Sequence, residues 1–140
     1  MKKRGFTLIE LMLVVIIISV LAAMVVPRLV GRTQEARITA AKADIESNLS
    51  VVLGLYELDN GSFPTTEQGL AALVKKPTSP PVPANWKGSY TRKVPKDPWG
   101  NPYVYVSPGV HNVGDYDLSS YGPDGVESSD DITNWEQEKQ

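Results

Sequence analysis

From Phe6 to Val26 the chain runs for 21 residues with a single charge, Glu10. An α-helix rises about 1.5 Å per residue, so this run is about as long as the hydrocarbon core of a bilayer is thick, and it predicts one spanning helix. Lys2, Lys3 and Arg4 stand before it, ahead of Gly5. Basic flanks stay on the cytoplasmic side, which places Arg28–Gln140 across the membrane. A cleaved secretory signal would also have a basic start, and Ala22 and Ala23 could sit near its cleavage site. Its apolar region, however, is usually only about 7 to 15 residues long. Glu10 also argues against it, because an unpartnered carboxylate at mid-bilayer costs about 2.5 to 3.5 kcal/mol or more. An acid kept there is a candidate functional residue.

Lys2-Lys3-Arg4-Gly5, then Phe6-Thr7-Leu8-Ile9-Glu10 and a long apolar run, resembles the class III signal of type IV pilins and of type II secretion pseudopilins. The resemblance implies that a prepilin peptidase cuts between Gly5 and Phe6 and methylates Phe6, with the helix kept in the protein. Cleavage creates a positive amine on Phe6, and Glu10 follows four residues along, on the same face of a helix. In such families this glutamate neutralises the amine of a neighbouring subunit during assembly, which would offset the burial of both charges. The expected division is a leader at 1–5, an apolar membrane and assembly helix at 6–27, and a globular domain at 28–140.

With 140 residues in all, room remains for one small domain. The formal charge is −2, and loss of Lys2, Lys3 and Arg4 takes it to −5. No basic patch suggests nucleic acid. The chain has no cysteine, so the domain holds together without disulfides. Pro27 removes one helical hydrogen bond and is expected to kink or end the helix. Beyond it Ile38, Ala41, Ile45, Leu49, Val52 and Tyr56 recur at spacings of three and four, an amphipathic helix to about Leu58. Asn60-Gly61 is a turn signal, and Thr65 with Gln68 forms a capping box that opens a short helix to Val74. Pro77–Pro83 is a proline-rich surface loop with local polyproline character. Asp97–Pro102 stacks turn formers, Tyr103–Val106 alternates as a strand, and Asp115–Tyr121 is a second strand. These elements make an α+β fold, a long helix packed on a small antiparallel sheet.

Leu58-Asp59-Asn60, Phe63–Leu70, Asp97-Pro98-Trp99-Gly100, Tyr121–Gly125, Asp130-Asp131-Ile132 and Asn134-Trp135 follow one another in an order and spacing similar to the major pseudopilins of type II secretion. The likeness spans nearly the whole chain and implies a pilin-like fold. Many type IV pilins carry instead a C-terminal disulfide loop, which this chain cannot make.

Eight of the 16 acids, Asp115, Asp117, Asp124, Glu127, Asp130, Asp131, Glu136 and Glu138, fall in the last 26 residues, opposed only by Lys139. A glycine-containing acidic loop suits a hard cation that takes six to eight oxygens, although the spacing departs from the EF-hand pattern. A solvated acidic surface loop has the same composition. The resemblance implies structural calcium (Ca2+) here, with carboxylates from Asp124, Asp130 and Asp131 and carbonyls from Tyr121 and Val126. Magnesium fits less well, because it sheds water reluctantly.

Enzyme chemistry finds little support. His111 is the only histidine, and Ser119-Ser120 has no nucleophile-elbow context. The tryptophans and Tyr103 and Tyr105 suit a core or an interface. The resulting expectation is a single-pass protein of the bacterial inner membrane with its domain in the periplasm. Through its helix it polymerises into a pseudopilus that helps move folded proteins across the outer membrane. Implied partners are further copies of the chain in a helical filament, minor pseudopilins, the prepilin peptidase, an inner-membrane assembly platform and an outer-membrane secretin. A type IV pilus subunit for adhesion, motility or DNA uptake is the alternative, and a tethered periplasmic hydrolase or binding protein using the acidic loop is a more distant one.

Overall fold

The computed structural model describes residues 5–136, without the side chains of residues 26–30. Lys2, Lys3 and Arg4, with the acidic Glu138 and its counter-charge Lys139, lie outside the described residues. The chain divides into two compact units, Met1–Ala36 and Arg37–Gln140.

Helix α1 spans Leu8–Ala43, continues as a π-helical turn over Asp44–Asn48, and passes into α2 at Leu49–Asn60. Pro27 therefore does not end the helix: the one amide hydrogen it lacks leaves the rest of the ladder in place. Thr7 caps the start, its Oγ1 accepting the Glu10 N–H at 3.3 Å, and Glu10 lies in the first turn. Phe6 precedes the helix, so in the uncleaved chain it does not share a helical face with Glu10. Ser19 satisfies its hydroxyl internally on the Val15 carbonyl at 2.7 Å, as a polar group in an apolar helix does.

In the second unit the buried stripe is Ala41, Ile45, Leu49, Leu53 and Tyr56. Val52, expected on this stripe, is half-buried, and Leu53 takes its place in the core. Residues four apart on a regular α-helix are offset by about 40°, so a stripe at spacing four drifts around the axis. The wider π turn takes up part of that drift. Asp44 opens this turn, where its carboxylate accepts the Tyr103 hydroxyl at 2.9 Å and the Asn48 amide at 2.8 Å. Full burial of a side chain such as Leu53 contributes about 1.5–3 kcal/mol. At the far end Gly61 takes φ 81, and its N–H closes on the Glu57 carbonyl at 2.7 Å. A left-handed glycine there terminates the helix.

The capping box forms in both directions, with Thr65 N–H on Gln68 Oε1 and Gln68 N–H on Thr65 Oγ1, each at 3.2 Å. It leads into a short 3-10 helix, Leu70–Leu73. The Gln68 amide also donates to the carbonyls of Ser79 and Pro81, at 2.9 and 3.0 Å, which pins the proline-rich loop. Trp86 donates to the Ala72 carbonyl at 3.0 Å and packs against the core.

The sheet is antiparallel in the order β1 (Val104–Val106), β2 (Asp117–Ser120), β3 (Ile132–Thr133). Tyr105 lies opposite Leu118, and Ser120 opposite Ile132. Strand β3 leaves no signal in the sequence, because two residues are too few to show alternation. Its place decides the geometry of the acidic loop, since residues 121–131 connect two neighbouring antiparallel strands and both ends of the loop are tied to β2.

Candidate functional site

Two features stand apart from the packed core. The first is the apolar helix. Leu8–Val25 is long and apolar enough to cross a membrane, and none of it is buried within the chain. Phe6, Leu8 and Ile9 are 76%, 77% and 75% exposed, and Leu11 to Ile18 follow with every side chain outward. A continuous apolar surface of this size requires lipid or other protein to cover it.

The second is the loop between β2 and β3. Its first end is fixed by a chain of hydrogen bonds that begins in the Asp97–Trp99–Gly100 turn. Asp97, 4% exposed, accepts the N–H groups of Trp99 and Asn101 on Oδ1 at 3.1 and 2.8 Å. Its Oδ2 accepts the Ser120 hydroxyl at 2.7 Å, and Ser120 Oγ accepts the Gly122 N–H at 3.1 Å. Gly122 and Gly125, with φ of 70 and 68, turn the backbone where a side chain would be strained. At the other end Asn134 accepts the Leu118 N–H at 2.9 Å and donates to the Tyr116 carbonyl at 2.9 Å.

Between these anchors Asp124 and Asp130 are exposed and Asp131 is half-buried. Asp124 Oδ1 accepts the Val126 N–H at 3.1 Å, and Ser128 hydrogen-bonds through its hydroxyl to Asp130 and through its N–H to Asp131 at 3.2 Å. The sequence signal for Ser128 is weak, a serine two and three residues ahead of paired aspartates being a common local bridging pattern. Burial pushes the Asp131 carboxyl above the ordinary carboxylate range. The charges of Asp130 and Asp124 add to this, against the opposing Ser128 hydrogen bonds. Asp130 and Asp124 thus both act electrostatically on Asp131. Among the described residues, no three acids or histidines are close enough to grip an ion as the loop stands. Tyr121 is half-buried and Val126 is 62% exposed at the rim of the loop.

Asp115 and Asp117, two residues apart among the C-terminal acids, serve different ends. The Asp115 carboxylate accepts its neighbour's Tyr116 N–H at 2.8 Å. Asp117 is buried and accepts the N–H groups of Val110, His111 and Asn112 at 2.7, 2.9 and 2.9 Å. His111 lies 3.1 Å from the same carboxylate and stacks flat on Trp135, with centroids 4.2 Å apart. These groups are spent on holding one loop and present no acid-base pair to a substrate.

Residues 28–135 match the family described as "Type II secretion system (T2SS), protein G", and residues 1–26 match the prokaryotic N-terminal methylation motif. The chain belongs to the type II secretion system protein G family. Core protein G of Pseudomonas aeruginosa is 50% identical over 140 aligned residues, covering 96% of both chains. Core protein G of Escherichia coli K12 is 53% identical over 136 residues, covering 96% of this chain and 92% of that one. The crystal structure of the major pseudopilin from the type 2 secretion system of enterohaemorrhagic E. coli superposes with a TM-score of 0.68 at 45% identity, covering 76% of this chain and 89% of that chain. Protein G of this family is a structural pseudopilin, not an enzyme, and the match decides for type II secretion over a type IV pilus.

Proposed function

We propose that the chain works as the repeating subunit of a periplasmic pseudopilus, anchored in the inner membrane before assembly and polymerising through its apolar helix. The observation that carries this is the exposed apolar surface of Leu8–Val25, which has no partner inside the chain. Many such helices side by side bury one another without leaving an apolar surrounding, and head-to-tail contacts that do not close into a ring generate a filament. Cleavage falls between Gly5 and Phe6, Phe6 is methylated, and Glu10 neutralises the new amine of a neighbouring subunit. The subunit meets the prepilin peptidase, an inner-membrane assembly platform, minor pseudopilins and an outer-membrane secretin on this path. The leader ends at residue 5, the membrane and assembly part of α1 at residue 27, and residues 28–140, with the rest of the helix, form the periplasmic domain. A chain starting at Arg28 is expected to fold but to form no filaments, as read by electron microscopy and a shearing assay. Filaments of that truncated chain would overturn the reading.

The donor chemistry of the C-terminal loop suits structural calcium. Asp124, Asp130 and Asp131 supply hard anionic oxygens, with the charges of Asp130 and Asp124 acting on Asp131, and Tyr121 and Val126 offer backbone carbonyls along the same glycine-turned loop. A bound dication supplies the charge that relieves this repulsion, and it stabilises the fold because it binds the folded state alone. Asp131 gives the sign. Its folded carboxyl is raised, so the stability it contributes is present below the unfolded value and is lost as pH rises through the folded one. The cation-free chain is therefore weakened near neutral pH by its own loop.

Thermal unfolding of the chain in detergent micelles is expected to show a higher Tm with calcium than with EGTA, and little change with magnesium. At 100 times Kd the gain is about 2.7 kcal/mol. Asp124→Ala abolishes the gain. Asp131→Asn removes a like charge, so it raises Tm in EGTA while losing the calcium response. A calcium response that survives Asp124→Ala places the ion elsewhere.

A further inference from the structure

The chain contains two places where Asn or Asp precedes glycine, Asn60-Gly61 and Asp124-Gly125. In such a pair the glycine amide nitrogen can attack the side-chain carbonyl carbon, because no Cβ shields it. The two pairs share this chemistry, and the fold treats them in opposite ways.

Asn60 is the last residue of α2, where helical backbone holds the next amide away from its own side chain. The Gly61 N–H is engaged with Glu57 O at 2.7 Å. The Asn60 amide donates to the Tyr56 carbonyl at 2.9 Å and to the Tyr90 hydroxyl at 3.2 Å, and its Oδ1 is buried. Nucleophile and electrophile are both immobilised. Asp124, in contrast, is exposed in the turn of residues 122–125, outside any helix or strand. Its Oδ1 accepts the Val126 N–H at 3.1 Å, with the Gly125 amide next in sequence to the carboxyl group. Gly125 has φ 68, and a Cβ built there would meet only the end of the Asn101 side chain, at 3.6 Å.

We propose that Asp124-Gly125 is a site of spontaneous isoaspartate formation in the folded chain, and that the fold protects Asn60-Gly61 from the equivalent reaction. The Gly125 nitrogen forms a bond to the side-chain carbon of the protonated Asp124 carboxyl, and the C–OH bond breaks as that hydroxyl leaves as water with the amide proton, giving a five-membered succinimide. Water then adds to either imide carbonyl. Opening at the main-chain carbonyl routes the backbone through the side chain, adding one methylene to the main chain and leaving the carboxylate on the α-carbon. Mass is unchanged overall, and no other reactant is needed. The loop that carries Asp124 is thereby lengthened and its carboxylate displaced.

The test incubates the full chain in detergent micelles with EGTA at physiological temperature, beside a free peptide of residues 119–129 as a clock. Isoaspartate is read by isoaspartyl methyltransferase labelling and by peptide mass spectrometry. Conversion at residue 124 is expected within several-fold of the free peptide, with none detectable at residue 60. Asp124→Glu abolishes the labelling, since a longer side chain does not close the five-membered ring. A folded chain unlabelled at residue 124 after the peptide has converted would overturn the proposal, as would equal labelling at residue 60. A calcium arm rests on the cation reading above and separates the two. Slower conversion with calcium supports Asp124 as a ligand, whereas an unchanged rate leaves the isoaspartate site standing and removes Asp124 from the ion.

Discussion

Glu10→Gln is expected to yield a chain that is cut after Gly5 and methylated yet forms no filaments. Two roles compete for this residue. The start of α1 reads Thr-x-x-Glu, and Thr7 already caps the Glu10 N–H at 3.3 Å, so Glu10 has a local job in the first helical turn. Loss of such capping costs about 1 kcal/mol, which a long helix absorbs. A buried carboxylate facing the amine of the next subunit carries far more, because breaking a buried pair leaves an uncompensated charge at a cost of about 3–5 kcal/mol. Glutamine preserves the capping geometry and removes only the charge. Immunoblots separating precursor from mature chain, with filaments recovered by shearing, decide the matter. Mature Glu10→Gln that still assembles would rule out charge pairing, and if Glu10→Ala alone fails, the role is capping.

The elements that could be read in the sequence were those with a long or chemically sharp signal. The apolar run, the Asn60-Gly61 stop, the Thr65–Gln68 capping box and the Tyr103–Val106 alternation each rest on local physics, and each has its counterpart in the structure. What escaped depends on tertiary partners. The π turn at Asp44–Asn48 lets Leu53 displace Val52 from the core stripe, and Asp44 meets Tyr103, 59 positions away in sequence. Strand β3 exists only because Ser119 and Ser120 offer it backbone partners. In the acidic loop the carboxylate cluster was legible from composition. Its anchoring was not, since Asp97, Ser120 and Gly122 come together only once the turn and the sheet have formed. Asp117 is the sharpest case: counted among the candidate acids of the loop, it is buried and holds a different loop entirely.

Asp117→Ala is expected to be the most damaging single substitution in the globular unit, costing about 1–3 kcal/mol for each buried donor it leaves without an acceptor. Three consecutive backbone N–H groups, those of Val110, His111 and Asn112, converge on this carboxylate within 2.9 Å. Hydrogen bonds to an ionised acceptor are about twice as strong as neutral ones, and alanine leaves these donors without an acceptor. Asp117→Asn should cost less, as one oxygen survives while an amide group faces an N–H in place of the other. Burial alone would raise this carboxyl. The N–H groups of His111, Asn112 and Val110, together with the His111 ring, outweigh burial and hold the carboxyl below the usual carboxylate range. Its folded value is thus depressed, so the stability it contributes is present above the unfolded value of about 3.9 and is lost as pH falls through the folded one. Urea unfolding of wild type and Asp117→Asn at neutral pH and at successively lower pH provides the measurement. The gap between the two chains should persist from neutral pH down to about 3.9 and narrow as pH falls below that value. A gap independent of pH would mean that Asp117 acts by shape rather than by charge.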